Sequence, residues 1–428
     1  MMSDRIGKNV FIISATKIYN GNSAGAARIM NIARALSMEG TNVYLCSSTY
    51  NDEITFRKLL RISDKIFVVG KEGKRKLHKL NKLRDYVKII VYYKYLLKIA
   101  RFVKQISGDK AFYLYPTNDS SMDFMVIIVL RILNRFRVYC DINELRRASM
   151  HNIVLPNNPI KCLYRLLFFP IRYLKYLLAE LLTGCYNGII VISTNIENYF
   201  KKFNSNTIRI PILSDIRGDS FVKKPFYNKS KNFNIGFFGQ LSLKKEGFEL
   251  FYRALSMVKS NFSGFKLHLY GPFLNERERD LLLDVLPTKY NLKENIIYHG
   301  VIAQNDVFTE MQKNHLLILP RPLNLQTKYG FSTKLSEYLI SGIPVLLTDV
   351  SDNSLYIKDG YNGFIVPAGD MFAMAKKILH IVNKYNNVVP QVCENAFKTA
   401  YNEFYYGLYG KRLLKFLFPN KKYGVLKG

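Results

Sequence analysis

The sequence predicts an α/β protein of two doubly wound, Rossmann-like units facing a central cleft, and three observations predict it. Short β-branched or apolar runs alternate with longer amphipathic stretches along all 428 residues. The runs are apolar at successive rather than alternate positions, as expected of strands covered on both faces of a parallel sheet. A polar, basic, aperiodic segment at 215–232, carrying Pro225, interrupts the rhythm near the middle and divides the chain.

The first unit (1–215) opens with the strand run 9–14 (NVFIIS) and continues with runs at 42–46, 65–69, 111–115, 136–141 and 188–193. Ile29, Ile32, Ala33 and Leu36 form a helical stripe between the first two. After a linker at 216–232, the second unit (233–390) has runs at 234–238, 265–270, 296–299, 315–319, 343–347 and 363–366, with a helical stripe of Phe248, Phe251, Leu255 and Val258. The closing segment, 391–428, is helical in pattern and aromatic-rich (Phe404, Tyr405, Tyr406, Tyr409), and is expected to pack back across the first unit. Ligands of such sheets sit beyond the carboxyl ends of the strands, so two facing units place the chemistry between them.

Lys and Arg number 63 against 32 Asp and Glu, a net charge of +31. Between Arg57 and Lys110 alone there are 17 basic and 4 acidic residues. A field of that sign favours polyanions: nucleic acid, an anionic membrane or phosphorylated substrates. The five cysteines are scattered without metal-ligand or redox spacing, which fits a reduced cytoplasmic protein. No secretory signal is read at the N-terminus, and no run of about 20 uncharged apolar residues is long enough to span a bilayer.

Three segments have the residue types for chemistry. Gly21 to Gly25, with Ala24 opening a helix, lets backbone amides approach an anion at a helix N-terminus. Gly239-Gln240-Leu241-Ser242-Leu243-Lys244-Lys245 follows the first strand of the second unit and sets two lysines ahead of a helix, where they could meet a diphosphate. The third runs from Pro320-Arg321-Pro322 through Phe331-Ser332-Thr333-Lys334 and Glu337 to Ser341-Gly342-Ile343-Pro344. There Ser332 or Thr333 is expected to cap a helix whose first turn carries Lys334, with Glu337 three residues later on the same face. An anion at that end meets free amides, the helix dipole and Lys334, while Glu337 can accept from sugar hydroxyls. An intrahelical Lys334–Glu337 pair is the alternative that spacing leaves open.

The stretch from Pro320 to Val345 resembles the donor-site segment of family-4 glycosyltransferases, especially those of bacterial exopolysaccharide, capsule or lipopolysaccharide synthesis. In the same order, Gly188–Ser193, Ile210-Pro211 and Asp359-Gly360-Tyr361-Asn362-Gly363 resemble further segments of that family. The resemblance implies a GT-B fold and retaining transfer of a hexosyl-type sugar from a UDP or GDP sugar, which acts as co-substrate, with no metal and no other cofactor. By position it implies that Glu337 holds the ribose, that Lys245 or Lys244 is the phosphate-binding lysine, and that Lys334 is a second contact beside the diphosphate. Amides around Phe331 and Ser332 would approach diphosphate and sugar. Three departures accompany it. Gln240 stands where many relatives have Arg, with Lys334 or Arg321 as substitutes. Tyr329 stands where many have Glu. Asp141, with Glu144 nearby, stands near the place of a His after the fifth strand.

On a helical wheel Lys161, Arg165, Arg172 and Lys175 share one face, and Leu163, Leu167, Ile171, Leu174 and Leu178 another. That pattern and the basic segment at 57–110 point to an anionic membrane surface or a lipid-linked glycan acceptor, and to a peripheral position on the inner face of the cytoplasmic membrane. The rival readings are a sugar-nucleotide epimerase on the same fold and a non-catalytic basic protein binding membrane or nucleic acid. No nucleic-acid-binding module is recognisable, so nucleic acid is not expected as a partner.

Overall fold

The computed structural model describes residues 7–14, 23–47, 60–69, 84–115, 120–150, 163, 167–216, 226–228 and 230–419. Two sheets organise them. The first contains β1 (Lys8–Ser14), β2 (Asn42–Ser47), β3 (Leu60–Ser63), β4 (Ile66–Val68), β5 (Asp109–Tyr115), β6 (Arg137–Ile142), β7 (Gly188–Val191) and β8 (Thr207–Arg209), in the order β3-β4-β2-β1-β5-β6-β7-β8. The second contains β9 (Phe233–Phe238), β10 (Phe265–Tyr270), β11 (Ile296–Gly300), β12 (Leu316–Leu319), β13 (Val345–Asp349) and β14 (Phe364–Pro367), in the order β11-β10-β9-β12-β13-β14. All pairings are parallel except that of β3 with β4.

The apolar runs became strands for the reason the sequence suggested. Val10, Phe11, Ile12 and Ile13 are all fully buried, because helices cover both faces of the sheet. Ile12 lies in register with Leu45 on one side and Tyr113 on the other, and Phe11 stacks on Tyr44 with ring centroids 4.8 Å apart. The stripe Ile29, Ile32, Ala33 and Leu36 is the buried face of the helix Ala24–Met38. Two strands, β3 and β8, were not legible: each is short, and Arg61 and Arg209 break their apolar character. The run expected at 343–347 begins as a strand only at Val345, after Pro344.

The C-terminal region differs in detail from expectation. One 34-residue helix, Met371–Phe404, opens with the Asp370 side chain accepting from the Ala373 amide (2.8 Å) and runs unbroken through Pro390. The chain then crosses to the first sheet: Ser214 N donates to Phe404 O (2.8 Å) and Tyr406 N to Ser214 O (3.2 Å). A last helix, Gly410–Leu417, buries Leu413 and Leu417 in the first unit's core and sets Phe416 against Tyr139. The expected return of the C-terminal helix is therefore present. The linker lies largely outside the described residues.

Candidate functional site between the two sheets

The carboxyl ends of β6, β9, β10 and β12 converge on one cavity of about 1220 Å³, lined from both units. On the second unit's wall, β9 is followed by Gly239, whose φ of 130° is open to glycine alone at no strain. A Cβ there would lie 2.2 Å from Lys334 Cε, so this glycine lets the lysine pass. Ser242 then caps the short helix Leu243–Glu246 through the Lys245 amide. That turn exposes Lys244 away from the cavity, directs Lys245 to its wall and buries Glu246.

Glu246 organises the wall. Its carboxylate accepts from Arg321 Nε (3.1 Å) and Nη2 (3.0 Å) and from Lys334 Nζ (2.9 Å). Burial alone would raise its pKa, but Arg321 and then Lys334 overcome burial and hold it at about 2. Lys334 moves the other way. Burial lowers it, Glu246 only partly compensates because Arg321 shares that carboxylate, and its pKa settles at about 8. The ammonium also lies 4.3 Å from the Phe237 ring centroid. Two cations on one carboxylate leave the cluster with a net positive charge, and Lys245 adds to it.

Lys334 thus pairs with Glu246 and not with Glu337 in its own helix, Lys334–Ile340. Glu337 lines the cavity, reached by solvent yet deep between the units. Desolvation raises its pKa, with Lys334 opposing. The expected side-chain cap is absent: Thr333 occupies the N-cap position with helical backbone angles and makes no cap hydrogen bond. Ser332 Oγ is buried and unpartnered among the described residues. No side-chain cap therefore occupies the amides at this end, where Leu335 N donates to Ser332 O (3.2 Å). Phe331 is a packing residue, its ring against Tyr356 and Phe404, while Gly239, Gln240, Arg321, Phe331 and Thr333 all contribute to the cavity lining.

The opposite wall corrects the reading of Asp141. Both of its carboxylate oxygens are taken: Arg28 Nε donates to Oδ2 (2.7 Å) and Nη2 to Oδ1 (3.0 Å), and the Tyr113 hydroxyl donates to Oδ2. Arg28 also donates to the carbonyls of Pro211 (2.7 Å) and Ile210 (3.1 Å). Asp141 is fully buried and holds Arg28 against the backbone of Ile210 and Pro211, so it is a positioning group. Glu144, exposed on the same wall, is a further carboxylate in the cavity lining. Ala24 lines the cavity and Gly25 packs under Tyr115, where a Cβ would meet the hydroxyl oxygen at 2.9 Å; Gly21, Lys161 and Arg165 lie outside the described residues.

Sequence reasoning missed Glu246 and Arg28. The available signal for Glu246 was an acidic residue following two lysines, at a strand end neighbouring the one that carries Arg321. Nothing in the spacing around Arg28 singled it out.

Comparison with known proteins bears on the fold and on the second unit. Residues 232–384 match the family described as Glycosyl transferases group 1. Over 245 residues the chain is 24% identical to the capsular polysaccharide biosynthesis glycosyltransferase CapM of Staphylococcus aureus; the match covers 54% of this chain and 61% of that protein's length. Among solved structures, sucrose-phosphate synthase from Thermosynechococcus elongatus superposes with a TM-score of 0.68 at 13% identity, covering 96% of this chain and 99% of the other. Anabaena HepE, solved in complex with UDP, gives 0.63 at 15% identity and covers 95% and 98%. The fold is GT-B, and it is the second unit that matches the group 1 glycosyltransferase family.

Proposed function

We propose that the protein is a retaining glycosyltransferase that moves a hexosyl-type sugar from a UDP or GDP sugar to a lipid-linked or growing polysaccharide acceptor in cell-surface glycan synthesis. The observation that carries this reading is the wall built on Glu246: Arg321 and Lys334 clamped by one buried carboxylate, Lys245 beside them, and Glu337 one helical turn further in. In this reading Lys245 and Lys334 neutralise the charge that develops on the departing diphosphate, with the uncapped amides at Ser332 and Thr333 assisting, and no divalent ion is required. Glu337 accepts from the ribose hydroxyls. Arg321 is bound bidentate to Glu246, so its part is to hold that carboxylate and through it Lys334. The acceptor enters from the first unit's side, past Glu144, and the protein works in the cytoplasm on the inner face of the membrane.

Calorimetric titration with a panel of sugar nucleotides tests this. The reading expects one UDP or GDP sugar to bind, with Glu337→Ala costing roughly 10- to 100-fold in affinity, the worth of charge-assisted hydrogen bonds to two hydroxyls. Lys245→Ala is expected to lower turnover by about 10²-fold or more through lost leaving-group stabilisation. No binding by any member of the panel, or normal donor affinity in Glu337→Ala, overturns the assignment.

A further inference from the structure

The helix Phe169–Leu181 is amphipathic in the reverse sense of an ordinary surface helix. Its inward face is polar and aromatic: the Tyr173 hydroxyl accepts from Arg147 Nη1 (2.7 Å), and buried Glu180 pairs with Arg147 Nη2 (3.0 Å) and accepts from the Tyr199 hydroxyl (2.6 Å). Its outward face is apolar. Ile171, Leu174, Leu178 and Leu181 are 61%, 54%, 49% and 49% exposed, and at 3.6 residues per turn they fall within about 80° of arc. Leu167 extends the stripe at 65% exposure. Lys175 and Arg172, both exposed, flank it along one side. Packing against the protein therefore does not account for this stripe, since the side chains that fix the helix are the polar ones.

We infer that this helix is the seat of the protein on an anionic bilayer. It lies in the interface with Ile171, Leu174, Leu178 and Leu181 among the acyl chains and with Arg172 and Lys175 at the level of the lipid phosphates. Thirteen residues span about 20 Å, too short to cross, and no described helix is long and apolar enough to do so. Charge selects the bilayer over a second copy of the chain. Pairing two stripes would bring the basic flanks of two proteins of net charge +31 together, whereas anionic headgroups neutralise them. The same helix lines the cavity through Tyr176, Ala179 and Glu180. Seating it on the bilayer opens the cleft at headgroup level, where an acceptor consisting of an apolar chain and a phosphorylated head can enter sideways without leaving the membrane. This last step rests on the glycosyl-transfer reading; the membrane seat does not.

The chain contains no tryptophan, so a single introduced one reports its own surroundings. Leu178→Trp is expected to show a blue-shifted emission when phosphatidylglycerol vesicles are added at low ionic strength, and much less shift with phosphatidylcholine vesicles or at high salt. Phe372→Trp, exposed on the second unit, is expected not to shift. Leu174→Glu with Leu178→Glu is expected to lose about tenfold or more of vesicle pelleting while its sugar-nucleotide affinity stays at the wild-type value, which shows that it is folded. Equal pelleting by that double variant, or no shift in Leu178→Trp, overturns the inference. So does a wild-type dimer that the double variant dissolves in the absence of any vesicle binding, which assigns the stripe to a second copy. Failure of the wild type to bind any sugar nucleotide removes the donor reading and leaves the vesicle result standing.

Discussion

Glu246 is 2% exposed and pairs with two cations at once, so its charge is what permits Arg321 and Lys334 to be buried side by side. Removing that charge leaves two uncompensated cations in a desolvated site. Glu246→Gln is expected to cost about 3–5 kcal/mol of stability in chemical denaturation, beyond the range of an ordinary surface substitution. Lys334 gives a pH signature. Its pKa, brought down to about 8, lies below the ordinary lysine value, so its proton leaves as pH rises through 8. A bound diphosphate favours the charged form. Sugar-nucleotide affinity should therefore be flat below pH 8 and fall by up to about tenfold per pH unit above it, with proton uptake visible in buffers of different ionisation enthalpy. Lys334→Arg keeps its charge throughout and should flatten the profile; an unchanged slope in that variant would assign the titration to another group.

Among the elements, those buried on both faces were the most legible. Strands such as 9–14 and 234–238 announce themselves through Val10–Ile13 and through Ile235, Phe237 and Phe238, whereas β8, with Thr207 and Arg209 on only three residues, carries no such mark. Pro390, where the second unit was expected to end, lies inside one helix. The helix continues through it because Tyr385, Val389, Val392 and Cys393 are all buried on one side, and that packing outweighs the lost backbone bond. At the helix Lys334–Ile340 the sequence placed Lys334 and Glu337 on one face and at the cavity, yet it supplied a Ser or Thr cap that does not form. Cap formation depends on backbone angles at Thr333 that spacing does not encode. The role of Glu246 was hidden because its partners are 75 and 88 residues away in sequence. The turn after β9 gives a test at this scale. Gly239→Ala forces a side chain into φ 130° and onto Lys334, so it is expected to lower stability by about 1–3 kcal/mol and to weaken donor binding together with it. Thermal unfolding and calorimetry on the same variant measure both, and a variant that keeps full stability and affinity would show that the turn is not fitted to Lys334.

At the scale of the whole molecule, the two sheets meet through polar contacts that leave the cavity between them. Asp352 Oδ2 accepts from the Thr194 amide (2.9 Å) and from Arg209 Nη1 (2.9 Å), Ser193 Oγ donates to Tyr329 O (2.9 Å), and Ser214 Oγ donates to Ser336 Oγ (2.7 Å) beside Glu337. The segment 210–214, whose carbonyls Arg28 holds, thus touches the helix that carries Lys334 and Glu337. None of these pairings was readable from sequence, because each joins residues more than 100 positions apart. The excess of basic residues was readable, and the cavity wall puts part of it to one use. The most direct test is a crystal structure of the protein with a UDP or GDP sugar. The account predicts the diphosphate within hydrogen-bonding distance of Lys245 and the amides at Ser332 and Thr333, with the ribose on Glu337. A nucleotide bound on the first unit's wall, or one whose diphosphate contacts neither Lys245 nor the start of the Lys334 helix, would contradict it.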